Sequence, residues 1–555
     1  MDGLDTHFRR VACRVLDAVL ETQPELATRL GDHRFDDRLS DLSADGTAYR
    51  ARILGDALAA LDELDDAGLD VDDRVDLEIL RTQVAGDLWT VTELRPHETD
   101  PMLHLPGDAL YPLLAREVGE PAERLRALTA RMNGVPARLQ TARTVLRDMP
   151  SVHVQTAIDR TRGILAMIGD DVDALAAQVP ALAAPALTAR QAAAEALSEH
   201  AAWLEAQLPG SDGDPRLGEQ AFAAKLWYAL DTQTTPDSVL TRAESDLQAI
   251  EEAIAELACR IAETPPWPGQ VRAVLDRLAS AAPVTDATIL PQCRLALAEV
   301  DKRVRELDLV TVPDDPVQII VMPEARRGVA VAYCDAPGPL EPRPASGSLP
   351  TFFAVSPTPR SWPAERVASF YREYNGHLLR NLAVHEGIPG HVLQLGHAAR
   401  HRGSTRIRAA GQSGPFVEGW AVYAESLLAE AGLGLGADID DGLRMQQLKM
   451  QLRTTINAVL DVRVHTRGMT EAEAMALMTE RGHQEEGEAA GKWRRALLTS
   501  TQLSTYYVGY HEVRDVVHRA RAARPAATLR EVHDAVLGHG SPPPRHLRTI
   551  LGLEG

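Results

Sequence analysis

Aromatic residues make up only 4% of this 555-residue chain, and cysteine occurs only at Cys13, Cys259, Cys293 and Cys334. None of these falls in a C-x-x-C pair, which excludes a disulfide framework and a cysteine-rich metal site; they read as the reduced thiols of a cytoplasmic protein. No apolar run approaches the roughly 20 residues that span a bilayer, so no transmembrane helix is expected. The opening residues are charged and lack an apolar stretch, so no signal peptide is expected either. Positive charge is in deficit: 58 basic residues stand against 79 acidic ones, a net charge of -21. Without a basic stripe, such a chain is a poor binder of nucleic acid or of an anionic membrane. Internal repeats and low-complexity tracts are absent from the sequence.

What is present is mostly helix. Residues 1–260 are rich in Ala, Leu, Arg and Glu at helical spacing, as at Val15-Leu16, Val19-Leu20 and along 185–208. Breaks fall at Pro209–Pro215 and Pro265–Gly269, neither long enough to argue for a flexible linker. Between about 308 and 356 the pattern changes. Val317–Val321, Val329–Tyr333 and Phe352–Val355 are short β-prone runs between Pro/Gly-rich stretches, and Asp335 to Pro350 reads as a loop. Helical patterning resumes near 363, and Thr470 with Glu473 forms a capping-box signature.

The run Asn381-Leu382-Ala383-Val384-His385-Glu386-Gly387-Ile388-Pro389-Gly390-His391 carries two imidazoles and a carboxylate directly after the first. In the H-E-x-x-H motif of metal hydrolases, histidines at i and i+4 share a helical face and the glutamate is a general base. Here the second histidine comes at i+6, about 240° round an unbroken helix and on the wrong face. Pro389 makes an unbroken helix untenable, since it lacks an N–H and its ring crowds the carbonyl of His385. A local bulge between Gly387 and Gly390 that absorbs two residues restores the facing geometry. On spacing alone, a surface turn with two incidental histidines remains an equal alternative.

Downstream, Gly414-Pro415-Phe416-Val417-Glu418-Gly419-Trp420-Ala421-Val422-Tyr423-Ala424-Glu425 reads as a helix with proline in its first turn. Glu418 and Glu425 lie within about 20° of each other in an otherwise apolar arc. A divalent cation would satisfy both, and so would buried arginine or histidine partners. Trp420 and Tyr423, on the opposite side, read as packing residues. His397 and His401 precede a basic loop and read as solvated.

These stretches resemble the bacterial family known as domain of unknown function 885, placed among the metallopeptidase-like proteins of the zincin clan. Its H-E-x-x-P-G-H-x-x-Q element matches His385 through Gln394, and its E-G-W-A-x-Y-x-E helix matches Glu418 through Glu425. The resemblance covers nearly the whole chain. Pro24 through His33 with Asp36-Asp37 is similar to the family opening, Asp461 with His465 to its D-x-x-x-H element, and His533-Asp534 to its closing element. Arg495, Gln502, Tyr506 and Gly509 match its R-Y-x-x-x-P-G-Q-A-x-x-Y-x-x-G segment, from which Ala496 (in place of Tyr) and Ser500-Thr501 (in place of Pro-Gly) depart.

The resemblance implies a mainly α fold: a large helical zincin-like body with a substrate cleft and a small β element before the metal-binding helix. Residues 1–300 would form one wall of the cleft and 301–555 the catalytic region, within one continuous family domain. It further implies one Zn2+ held by His385, His391 and Glu418, Glu386 as general base, and Tyr506 stabilising the tetrahedral intermediate with Tyr510 as understudy. Glu425 is expected to orient a metal-binding histidine rather than bind the metal. His465 and Arg495 are candidates for gripping a substrate carboxylate or amide, with structural pairing as the equal alternative. The implied activity is hydrolysis of peptide bonds; the alternative is a hydrolase or lyase acting on a small amide-bearing metabolite.

Overall fold

The computed structural model describes residues 7–322, 331–342 and 349–553. Helix accounts for 72% of the chain and strand for 3%, which makes the fold mainly α, as expected. Two compact units are distinguishable: Met1–Pro215 with Gly338–Pro342 and Ser404–Ala410, and Arg216–Pro337 with Arg343–Gly403 and Gly411–Gly555. The division falls at the end of the Pro209–Pro215 break rather than near residue 300. Helices Pro236–Ala262, Gln270–Ala281 and Ile289–Glu306 therefore belong with the metal motif.

The first unit is built on three long helices, Pro121–Val145, Ser151–Gln178 and Pro180–Gln207, which bury Leu125, Met132, Ile158, Ile168 and Leu197 against one another. Arg131, fully buried, donates to the carbonyls of Arg38 and Ala109 and to Thr28 Oγ1. A buried guanidinium is tolerable only with its donors so occupied, and here it fixes the opening motif onto the bundle. The segment 338–342 returns to the same place: Leu340 N–H donates to Leu30 O at 2.7 Å. Gly31 there has φ +89°, and a Cβ on it would lie 2.5 Å from Glu341 N, so both conformation and space require glycine.

The second unit holds the sheet and the motif helices. Strands β1 (Val317–Val321), β2 (Ala332–Asp335) and β3 (Thr351–Val355) lie in the order β1-β3-β2, with β1 parallel and β2 antiparallel to β3. The central strand β3 is the most buried, with Phe353, Ala354 and Val355 fully inside. The second β-prone run is a strand from Ala332; its Val329 and Ala330 lie outside the described residues.

Six helices position the motif: α1 (Gly376–Leu382), α2 (His391–Ala398), α3 (Gly414–Ala431), α4 (Ala437–Arg467), α5 (Glu486–Leu498) and α6 (Gln502–Ala523). Between Gly442 and His465 helix α4 is buried over most of its surface, polar residues such as Gln446, Asn457 and Asp461 included, as befits a helix through a large body. Helices α3 and α6 cross backbone to backbone. A Cβ on Gly419 would lie 2.3 Å from the carbonyl of Gly509, and one on Gly509 would lie 2.2 Å from Pro415 O. Around this crossing Phe416 and Trp420 are completely buried, the phenyl group alone worth roughly 1.5–3 kcal/mol.

Candidate metal centre

Helix α1 begins on Asn375, whose side chain accepts from the N–H groups of His377 and Leu378, and it runs into a π turn over Ala383–Gly387. The chain then leaves helical geometry through Ile388, Pro389 and Gly390, with a cis Ile388–Pro389 peptide, and re-enters it at His391. The expected two-residue bulge is thus a π turn followed by a short non-helical link. Gly390 N–H donates to Val384 O at 3.0 Å, and a Cβ there would lie 2.0 Å from His385 O, so no larger residue fits. The Trp420 indole closes the link by donating to Pro389 O at 2.7 Å.

This folding brings both imidazoles to Glu418. His385 Nε2 and His391 Nε2 each lie 3.5 Å from Glu418 Oε2, with ring planes 85° apart. One ligand atom from each of the three residues lies within 4.8 Å of the others. Donors about 2.0–2.1 Å from a tetrahedral ion stand roughly 3.4 Å from one another, so the two His–Glu separations suit a zinc-sized cation. Glu418 Oε2 is buried without a hydrogen-bond partner among the described residues, and coordination to a cation would satisfy it. The donor set therefore fits zinc.

The electrostatics favour positive charge at the same point. Burial lowers the His385 pKa, but the Glu418 carboxylate nearby and the hydrogen bond to Glu425 outweigh it and raise the group well above its ordinary value. Burial raises the Glu418 carboxyl, yet His385 and His391 pull it well below the usual carboxylate range. Glu425, 3% exposed, accepts from His385 Nδ1 at 2.6 Å and from Asn381 Nδ2 at 2.7 Å. It thereby fixes the first imidazole with Nε2 turned to Glu418. His391 Nδ1 has no such partner.

Glu386, half-buried on the π turn, makes no hydrogen bond with any described residue. The hydroxyl of Tyr506 on α6 is raised by burial and then by the Glu418 charge, which lies within electrostatic reach of it, and so stays protonated. Its oxygen accepts from Arg495 Nη2 at 3.1 Å and Gln502 Nε2 at 3.2 Å, while no described residue accepts its own proton. Arg495 also donates to Gln502 Oε1 at 2.7 Å. Tyr510, one turn on, is not in this group: Gln451 Nε2 reaches its hydroxyl at 3.4 Å and its ring packs on His511.

His465 takes the structural alternative. It is 3% exposed and stacks on Phe222, Nε2 donates to the carbonyls of Ala496 and Thr499, and Nδ1 accepts from Leu217 N–H. Burial lowers its pKa, and with both nitrogens taken by backbone it has nothing left for a substrate. Its partner Asp461 accepts from the N–H groups of Thr501 and Ser504 and anchors the start of α6. Thr501 sits at φ +65°, where a glycine is at ease and a β-branched residue is not, so the Ser500-Thr501 departure falls at a left-handed position. Ala496 is fully buried.

Trp420 and Tyr423 are packing residues, as read, with the Tyr423 hydroxyl bonded to His533 Nε2 at 2.9 Å. His397 and His401 are half-buried rather than solvated, bonded to the carbonyls of Thr311 and Gly538. Asn381 and Lys492 went unread. Asn381 stands four residues before His385, on its helical face, and that spacing was the available signal.

Over residues 24–551 the chain matches the model of a family described as bacterial protein of unknown function (DUF885). None of the curated proteins matches it. Among solved structures, a candidate lipoprotein of unknown function from Shewanella oneidensis is similar at a TM-score of 0.81 and 26% identity, covering 99% of this chain and 100% of that one. A candidate lipoprotein from Colwellia psychrerythraea is similar in fold at a TM-score of 0.80 and 16% identity, with 99% of each chain covered.

Proposed function

We propose for this chain, which belongs to the bacterial protein family of unknown function DUF885, the role of a zinc-dependent hydrolase of the gluzincin kind that cleaves peptide bonds. The observation that carries the proposal is the convergence of His385, His391 and Glu418 donor atoms within 4.8 Å of one another, on elements whose glycines and caps permit little else. His385, His391 and Glu418 would hold the zinc, which would supply Lewis-acid activation of water there.

The chain's own residues divide the remaining work. Glu386, free of hydrogen bonds to described residues, takes a proton from the attacking water and returns it to the leaving nitrogen. Tyr506 donates its uncommitted proton to the oxygen on which charge develops, while Arg495 and Gln502 hold its hydroxyl in place. Glu425 keeps the His385 ring from turning. An extended peptide is the substrate proposed; among the described residues β2 is the last strand of its sheet, and it packs against the turn that carries Glu386. Nothing favours nucleic acid as a partner in a chain of net charge -21. The cytoplasmic location is also a proposal; the similar structures are described as candidate lipoproteins, and cell fractionation decides it for this chain.

The test pairs elemental analysis with a peptide-library digest, with and without chelator. Stoichiometric zinc and chelator-sensitive cleavage are expected. Glu386→Gln keeps the metal and loses about 10²–10⁴-fold in rate, while His385→Ala loses both. Metal without cleavage of any peptide turns the reading to a small amide-bearing metabolite. A protein without stoichiometric metal overturns it.

A further inference from the structure

Lysine is scarce in this chain: Lys225, Lys302, Lys449 and Lys492 are all it has. Lys302 is exposed, Lys225 donates to Ser500 Oγ at 2.6 Å, and Lys449 pairs with the buried Glu373 at 2.8 Å. Lys492 is different. It is 5% exposed on α5, yet it makes no hydrogen bond or ion pair with any described residue. The carboxylates whose charges reach it are hydrogen-bonded to other groups, Glu488 to Arg453 and the Tyr374 hydroxyl, and Glu373 through Oε2 to Lys449, its Oε1 being without a partner among the described residues. Burial, with the charges of Arg453 and Arg495, pushes its amine well below the ordinary lysine range. A buried amine that makes no hydrogen bond with any described residue is a cost that structural packing alone does not explain.

Arg495 follows three residues later on the same helical face. It too has no carboxylate: its bonds go to Gln502 Oε1 and the Tyr506 hydroxyl, through Nη2 alone, which leaves Nε and Nη1 as unused donors. Among the described residues, two neighbouring basic groups thus have no carboxylate bonded to them in a chain of 79 acidic residues, and one of them holds the Tyr506 hydroxyl. An incoming carboxylate would favour the protonated amine and meet its three donors beside a guanidinium edge.

We propose that Lys492 and Arg495 form a carboxylate subsite, so that the substrates of this hydrolase are anionic amides whose carboxylate seats on these two cations while the bond to be cut lies at Tyr506. The carboxylate belongs either to a free C-terminus or to an acidic side chain. This rests on the amide-hydrolase reading for the place of the scissile bond, but not for the binding of the anion.

The test is calorimetric binding to full-length Glu386→Gln protein, so that probes survive, in zinc-loaded and metal-stripped forms. The probes are N-acetyl-dialanine, its C-terminal amide, and the α-amide of N-acetyl-alanyl-glutamic acid. At least one carboxylate probe should bind about tenfold tighter than the neutral amide, and K492M or R495Q should each abolish that preference. Preference for N-acetyl-dialanine identifies a C-terminal carboxylate, and preference for the glutamyl probe a side-chain one. The preference must persist in the metal-stripped protein, where a probe carboxylate has no ion to ligate. Equal binding of all three probes to the unsubstituted subsite, or binding of none, overturns the proposal without reliance on any variant's folding. Peptide hydrolysis without carboxylate preference removes the subsite alone; carboxylate preference without hydrolysis of any amide removes the hydrolase and leaves an anion site.

Discussion

Glu425 illustrates how much a single side chain can decide without touching the reaction. It is 3% exposed, and its two oxygens are committed to His385 Nδ1 and Asn381 Nδ2. Replacing it by glutamine keeps the volume but puts an N–H where one of these donors needs an acceptor. Metal affinity in Glu425→Gln is therefore expected to fall about 10–100-fold, measured by competition with a chromophoric chelator. Unchanged affinity would mean that the His385 ring is held by its backbone turn alone. A second residue-scale prediction belongs to the first unit. His33 is pushed up to about 10 by hydrogen bonds to Asp36 and Glu341. Because its folded value exceeds the unfolded 6.5, its stabilisation is complete below pH 6.5 and declines as pH rises toward 10. The melting difference between wild type and His33→Gln should be largest near pH 6 and vanish near pH 10. A pH-independent difference would show that the imidazole acts by packing, not charge.

At the scale of elements, the motif is a matter of two helices touching with nothing between them. Gly419 and Gly509 leave the α3 and α6 backbones in contact, and this brings the helices that carry Glu418 and Tyr506 together, with the Glu418 charge felt at the Tyr506 hydroxyl. Gly419→Ala forces the helices apart, so a loss of about 3 kcal/mol is expected in urea unfolding, with weaker metal binding because Glu418 is the adjacent residue. Wild-type stability would mean that the crossing can widen without cost. The break at Pro389 was legible, because proline chemistry is local and the i+6 spacing demanded a distortion. The capping box of Thr470 and Glu473 was legible for the same reason and forms as read. The glycine contact was not, since whether a glycine serves a turn or a neighbour depends on what the fold brings against it. His465 shows the same limit: a histidine in a motif looks like chemistry until its two nitrogens are seen on backbone groups from distant segments.

Across the whole molecule, composition carried the fold class but not the division of the chain. The change from helical to β-prone patterning near 308 is what a reading of periodicity detects, and it lies inside the second unit. The actual boundary, at Pro215, is marked only by a short Pro/Gly/Asp stretch, because helices on both sides of it have the same composition. Nor does sequence show that the first unit is completed by the distant segments 338–342 and 404–410. The division has a consequence for metal binding, because His385, His391, Glu418 and Tyr506 all come from the second unit. With free zinc at a hundred times its Kd, the ligand stabilises the segments that must open with the site by about 2.7 kcal/mol, or about a hundredfold in an opening equilibrium. Hydrogen exchange of α1, α2, α3 and α6 should slow accordingly on adding zinc, while exchange of the 121–207 helices should not change. Zinc-dependent protection confined to 121–207 would put the ion outside the second unit, and with it would go the three-ligand centre.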